Sequence, residues 1–356
     1  MARLLLNGKS LNNDLLFFRL TKARFKNVSY EVYIAADDVR GMNSLVIALG
    51  GNAIKKAEEE GTYKEQLRNV KETCKQILEV IVRGYRVVIT YGNGPQAGNL
   101  LIQQEDSVRL VPTQPLDVVG AMTQGQIGYM LQQSLTNYGQ ELGLSIQVAV
   151  VLTQVAVDEN DSDFKNPSKP VGPFYTRRQA EKLADEKGYW IKEVKPFGGK
   201  PYRRVVPCPD PKAIVEKDLI KRLVETDYIV IASGGGGIPV VVGDNGKLRG
   251  IEAVVDKDLA AEKLAEVVGA DTLLILTDVE KVKTNYGKTN ESDVDQMTLA
   301  EAKNHLEEGH FLPGSMRPKI IACIRFLEHG GRKAIITSLD KAVESLDGKT
   351  GTTIVP

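Results

Sequence analysis

"IVIASGGGGIPVV", residues 229–241, runs a β-branched apolar stretch straight into four consecutive glycines and a proline. An apolar run of this kind, closed by glycine, predicts a strand buried on both faces that ends in a tight turn. The same grammar recurs in "SLVIALGGNA" (44–53) and "RVVITYGNGPQAG" (86–98), and further strand-like runs follow at "QVAVVLTQV" (147–155) and "DTLLILTD" (271–278). Helical patterns separate them, at "YKEQLRNVKETCKQILEVIVRG" (63–84), "AMTQGQIGYMLQQSLTNYG" (121–139) and "KDLAAEKLAEVVGA" (257–270). Strands alternating with helices predict right-handed crossovers and a mostly parallel sheet covered on both faces. In such a sheet the ligand edge is the carboxyl end of the strands, where the glycine loops fall.

With 356 residues the chain can bury a large core, as one big α/β domain or two joined halves. Its 46 Lys and Arg balance 46 Asp and Glu, so net charge points to neither a nucleic-acid nor a membrane partner, and a small-molecule substrate is expected. No apolar run approaches the roughly 18 residues a membrane helix requires. Cys74, Cys208 and Cys323 form no C-x-x-C pair, which suits a reducing cytoplasm. His305, His310 and His329 have no metal-motif spacing, so no dedicated metal site is expected. Residues 1–41, basic and only brokenly apolar, read as an extension: an organellar presequence, a cloning scar or a mis-assigned start ahead of Met42.

The glycine loops are neither a Walker P-loop nor a G-x-G-x-x-G fingerprint. A glycine loop after a strand still lets backbone N–H groups approach an anion, and the following helix adds its positive end. Three of them, at Gly50-Gly51-Asn52, at Gly92-Asn93-Gly94-Pro95-Gln96 and at Ser233-Gly234-Gly235-Gly236-Gly237, predict binding of phosphate-like groups. Asn52 and Asn93 add amide donors. Three lysines stand out by context. Lys257 follows Asp256, a candidate N-cap, and precedes Asp258. Lys319 opens an amphipathic helix behind "PGSMRP", at a loop edge where it is expected to be exposed and to contribute little to stability; Lys169 sits between prolines in "NPSKPVGPF" and reads as part of a stiff loop. Residues 158–207 break the α/β rhythm with proline, glycine and charge, and predict a small subdomain or lid.

Ten collinear blocks, among them "VIALGGNA", "YGNGPQAGNLL", "NPSKPVGPFY", "RRVVPCPDP", "IVIASGGGGIPVV", "GIEAVVDKDLAAEKLAE", "LLILTDVEKV" and "EGHFLPGSMRPK", together resemble the carbamate kinases of the amino acid kinase superfamily over about residues 44–355. The resemblance implies a three-layer α/β/α sandwich around an open, mainly parallel eight-stranded sheet with a protruding lid, and a cytoplasmic homodimer. It divides the chain into a carbamate-binding half (42–157), the lid (158–207) and a nucleotide-binding half (208–356). It implies the reaction ATP + carbamate = ADP + carbamoyl phosphate, with Mg²⁺ on the nucleotide, commonly run towards ATP at the end of arginine breakdown in the arginine deiminase pathway. By the same resemblance, Gly50, Gly51, Asn52 and the Gly92–Gln96 loop hold carbamate and the phosphoryl group. Lys169, Lys257 and Lys319 neutralise its oxygens, and Asp258 orients the lysines. Ser233 to Gly237, Thr277, Asp278, Val279, Pro313, Gly314, Ser315 and Met316 border the nucleotide.

Two departures stand out: Arg317 where the family's turn has glycine, and "VKPFGGKPY" at 194–202 in place of its usual stretch. Sibling kinases of other small carboxylates carry a lysine where this chain has Ala48, which favours carbamate over a sibling substrate. A non-catalytic nucleotide-binding subunit would be expected to lack one of Lys257, Asp258 and Lys319. Phosphoryl transfer to an acceptor that is already anionic needs positioning and charge neutralisation rather than a general base, so loops without histidine are in keeping.

Overall fold

The computed structural model of the chain describes residues 43–194, 198–226, 228–312 and 314–356, with the backbone of one antiparallel strand pair, Arg19–Phe25 and Val28–Ile34. The rest of the 1–41 extension lies outside the described residues. Eight strands form the central sheet in the order Gln296–Thr298, Thr352–Val355, Lys333–Ser338, Thr272–Thr277, Ser44–Leu49, Arg86–Tyr91, Tyr228–Ile231, Gln147–Val150. Neighbours run parallel except for Lys333–Ser338 against Thr352–Val355, so the sheet is mainly parallel as expected.

Alternation along one strand shows why apolar runs were required. Leu45, Ile47 and Leu49 face the helices Tyr63–Val82 and Leu116–Glu141, packing with Ile77, Leu78, Ile127 and Leu131. Val46 and Ala48 point the other way, into a core shared with Ala260 and Leu264 of Lys257–Val268 and Ile320 and Ile324 of Met316–Glu328. Both faces are therefore covered, and a polar side chain at either parity would be buried without solvent. The helix ends follow local chemistry: Thr62 and Glu65 make a reciprocal capping box, and Gly269 closes Lys257–Val268 in the left-handed conformation at φ 59°.

Two expectations change. The run 147–155 is not one strand: Gln147–Val150 stays in the central sheet, while Gln154–Val157 joins a second sheet with Pro211–Ile214, Ile238–Val242 and Leu248–Gly250. The break is tertiary. Thr153 donates its N–H to Gln124 Oε1 at 2.9 Å, and its hydroxyl donates to Val151 O and accepts from Ser233 N, each at 2.8 Å. Lys169, expected in a loop, instead opens the strand Lys169–Tyr175, opposite Val206 of Tyr202–Val206. Proline's fixed φ and missing N–H suit an extended edge, and Pro170 stands in an edge strand of that small sheet. With Ile191–Glu193 and the helix Arg177–Lys187 these strands form a small α/β unit within 158–207. Among the described residues no helix is long and apolar enough to cross a membrane.

Candidate active site

Because the central strands are parallel, their carboxyl ends open on one edge of the sheet, and a cavity of about 880 Å³ lies there. Gly51, Gly92, Asn93, Gly94 and Pro95 line it from the first two loops, Gly235 and Gly237 from the third, and Gly314 and Ser315 from the last. Lys169, Pro170, Gly172 and Phe174 of the small α/β unit close over it, with Lys200 and Arg203. The unit is held down by Arg204 Nη2 to Glu252 Oε2 at 2.5 Å and by Tyr175 Oη donating to Glu105 Oε1 at 2.8 Å.

Positive charge dominates the floor. Lys257 and Lys319 both stand in the first turn of a helix, where the backbone dipole disfavours a cation. Asp258 resolves the conflict: its Oδ1 accepts from Lys257 Nζ at 2.5 Å and its Oδ2 from Lys319 Nζ at 3.1 Å. Burial would raise the Asp258 carboxyl pKa, but the two ammonium groups overcome that and hold it below its ordinary value. Asp256 accepts from the Asp258 backbone N–H at 2.9 Å as N-cap, and its other oxygen accepts from Lys169 Nζ at 3.1 Å. Three lysines and two helix N-termini thus converge on one cavity, an arrangement complementary to a multiply charged anion.

The structure divides the predicted residues. Lys169, Lys257, Asp258, Lys319, Gly51, Gly92, Asn93, Gly94, Pro95, Gly235, Gly237, Gly314 and Ser315 share the cavity wall. Gly50, Asn52, Gln96, Ser233, Gly234, Gly236, Thr277, Asp278, Val279 and Met316 stand outside it, and Pro313 lies outside the described residues. The physical reasons differ. Gly50 spends its N–H on Leu276 O, and buried Gln96 donates to Gln66 Oε1. Met316 packs on the core, while Thr277 Oγ1 donates to Asp278 at the sheet edge.

Ser233 is fully buried at φ 55°, and the glycines after it are needed chiefly by protein packing. A Cβ at Gly234 would lie 2.4 Å from the Tyr91 ring, and one at Gly236, which has φ 93°, 2.2 Å from Val255 O. Lys319 is not exposed as expected: its side chain is 13% accessible and also donates to Ser315 O.

Sequence reasoning passed over Arg203 and Lys200 of the lid. Arg203 donates twice to Gly172 O, at 3.1 and 2.8 Å, and lies over the Phe174 ring. Its signal was present in "RRVVPCPDP", but a basic pair in a strand is indistinguishable from a solvated face until the strand is placed. Arg317 points away from the cavity, to Leu306 O near the end of the helix Leu299–Glu307. The histidines gather unforeseen, His305 and His310 with Glu308 and His329 with Glu262 and Glu266, both away from the cavity wall. His310 Nδ1 accepts from Asn285 N–H, which turns Nε2 towards Glu308.

Comparison with known proteins places this architecture. The model of the amino acid kinase family matches residues 43–338. The carbamate kinase of Thermococcus kodakarensis is 55% identical over 317 residues, spanning 88% of this chain and 99% of its own length. That of Pyrococcus horikoshii is 53% identical over 314 residues, with the same shares. Among solved structures, carbamate kinase from Giardia lamblia bound to AMP-PNP superposes with a TM-score of 0.83 at 42% identity, covering 88% of this chain and 98% of that one. N-acetylglutamate synthase from Neisseria gonorrhoeae, at 14% identity and a TM-score of 0.52, shares the fold alone. The chain therefore belongs to the amino acid kinase family and, within it, to the ATP-dependent carbamate kinases.

Proposed function

We propose that the chain catalyses ATP + carbamate = ADP + carbamoyl phosphate, running towards ATP in the cytoplasm at the end of arginine breakdown, in the arginine deiminase pathway. The observation that carries the reading is the convergence of Lys169, Lys257 and Lys319 on a cavity edged by glycine loops. Lys169, Lys257 and Lys319 neutralise the transferred phosphoryl group, and Asp258 orients the last two. Gly51 and the Gly92–Pro95 loop border carbamate, Gly235 and Gly237 border the phosphates, and Gly314 and Ser315 border the nucleotide. The remaining residues of those loops act by shaping them. Residues 42–157 form the carbamate half, 158–207 the lid and 208–356 the nucleotide half.

No base is required, because carbamate attacks through an oxygen that is already anionic. Mg²⁺ rides on the nucleotide phosphates, since both aspartates in the cavity wall are taken by lysines. Exposed Val118, Met122 and Tyr129 on the helix Leu116–Glu141, with exposed Leu110 and Val111 in the turn that precedes it, support a homodimer through that helix. Light scattering reads this directly, and a monomer at micromolar concentration would overturn it.

Ala48, fully buried in the core, lacks the lysine of the sibling kinases and favours carbamate over another small carboxylate. A coupled assay of ATP formation from ADP and carbamoyl phosphate tests the activity. No ATP there, with phosphorylation of acetylglutamate instead, would establish the sibling reading.

A further inference from the structure

An N-cap aspartate needs only one oxygen for its helix. Asp256 has both engaged across two parts of the fold. Oδ1 holds the Asp258 N–H at 2.9 Å, and Oδ2 holds Lys169 Nζ at 3.1 Å, from a strand 87 residues earlier. Asp256 is 9% accessible, and its position is fixed by the start of the helix that also carries Lys257 and Asp258. Other ties of the lid, among them Arg204 to Glu252, Tyr175 to Glu105 and Arg249 to Glu159, hold its frame and do not touch the Lys169 amine. A lysine has four rotatable bonds, and ordering them costs about 2 kcal/mol of side-chain entropy. A carboxylate that already holds the amine over the cavity removes that step from the reaction.

We propose that Asp256 is a positioning residue that sets the Lys169 ammonium against the same helix start that places Lys257 and Asp258, so that all three amines meet the phosphoryl group in register. The inference rests on the reading of Lys169 as a phosphoryl-binding group. Asp256 acts through Lys169, to which its Oδ2 is bonded. Before substrate binds it is the counter-ion of Lys169, and on binding the amine turns from one oxygen anion to another while the lid frame stays in place. Burial works to lower the Lys169 pKa, and the carboxylates around it, Asp256 above all and Asp258 with it, more than offset that and keep it raised. Asp256 therefore also secures the charged amine.

Asp256→Asn separates the two duties, because asparagine remains a good N-cap while losing the charge that holds Lys169. The melting temperature should stay close to wild type. In ATP formation from ADP and carbamoyl phosphate, kcat should fall about tenfold or more with KM for ADP nearly unchanged. The basic limb of the pH profile should move to lower pH. In a Lys169→Ala background the same substitution should change kcat less than about twofold, since the two residues act as one unit. Normal kcat and an unmoved basic limb in Asp256→Asn, or full additivity with Lys169→Ala, would overturn the proposal. Full activity of Lys169→Ala alone would instead remove Lys169 from the site, and the proposal with it.

Discussion

The helix Lys257–Val268 buries two carboxylates one turn apart, and they are treated in opposite ways. Asp258, 3% accessible, receives two ammonium groups, and its pKa is held down. Glu262, fully buried, has His329 Nδ1 at 3.0 Å and Lys263 only at 3.8 Å, and its Oε2 has no hydrogen-bond partner. Burial pushes the Glu262 pKa up, and Lys263 and His329 offset it only in part. At the cavity end positive charge is gathered beyond what the carboxylate needs, and one turn further along it falls short. A surplus of cations at the cavity is complementary to an incoming anion, and it supports the proposed role of the first turn of the helix as the working end.

Asp258→Asn should break that comparison most severely. It leaves Lys257 and Lys319 facing each other, mostly buried, with their shared anion gone. We expect a loss of about 3 kcal/mol or more in stability and at least about a 1,000-fold loss in kcat, read by denaturant melts and the coupled assay. Turnover within tenfold of wild type would show that the lysines are placed without it. The pH dependence has a definite sign. A carboxyl whose folded pKa lies below its ordinary 3.8 contributes stability that is fully present above that value and is lost as pH falls through the lower folded one. Acid titration of stability should show this component in the wild type and not in the variant.

Lys319→Ala is the next in size. Turnover should fall about 100- to 1,000-fold if Lys319 serves as proposed, because one fixed charge at the phosphoryl group is then removed. Its side chain is largely buried and bonded to Asp258 and Ser315 O, so stability should drop as well, by about 1–3 kcal/mol. A normal melting temperature would mean that Lys257 alone satisfies Asp258.

How far the sequence could be read follows the same division. The sheet and both helical layers were legible because strands such as 44–49 are apolar at both parities and helices such as 63–82 carry their own caps. The three lysines were legible by context, Lys257 and Lys319 at helix starts and Lys169 beside its prolines, although Lys169 opens a strand where a loop was expected. Missed were features decided by distant partners: the break at Thr153, made by Gln124, and the turn of Arg203 onto Gly172 O. The four glycines read as an anion cradle, yet Gly234 and Gly236 are demanded by Tyr91 and Val255, residues far off in the chain. Spacing alone cannot separate a glycine that admits a ligand from one that admits a neighbouring side chain.

The smallest effect belongs to the second turn of the helix. Glu262→Gln keeps the shape and an acceptor for His329, removes the under-compensated charge, and gives the position of the unpartnered oxygen a donor. A carboxyl whose folded pKa is raised binds its proton more tightly in the folded state, so it costs stability once pH passes its ordinary 4.5 and costs nothing below it. The variant should match wild type below about pH 4.5 and equal or exceed it by about 1 kcal/mol at neutral pH, with kcat unchanged within twofold. A loss of stability at neutral pH would mean that His329 and Lys263 supply enough charge after all. The contrast with Asp258 would then lie in the lysines' reach into the cavity and not in how well each carboxylate is compensated.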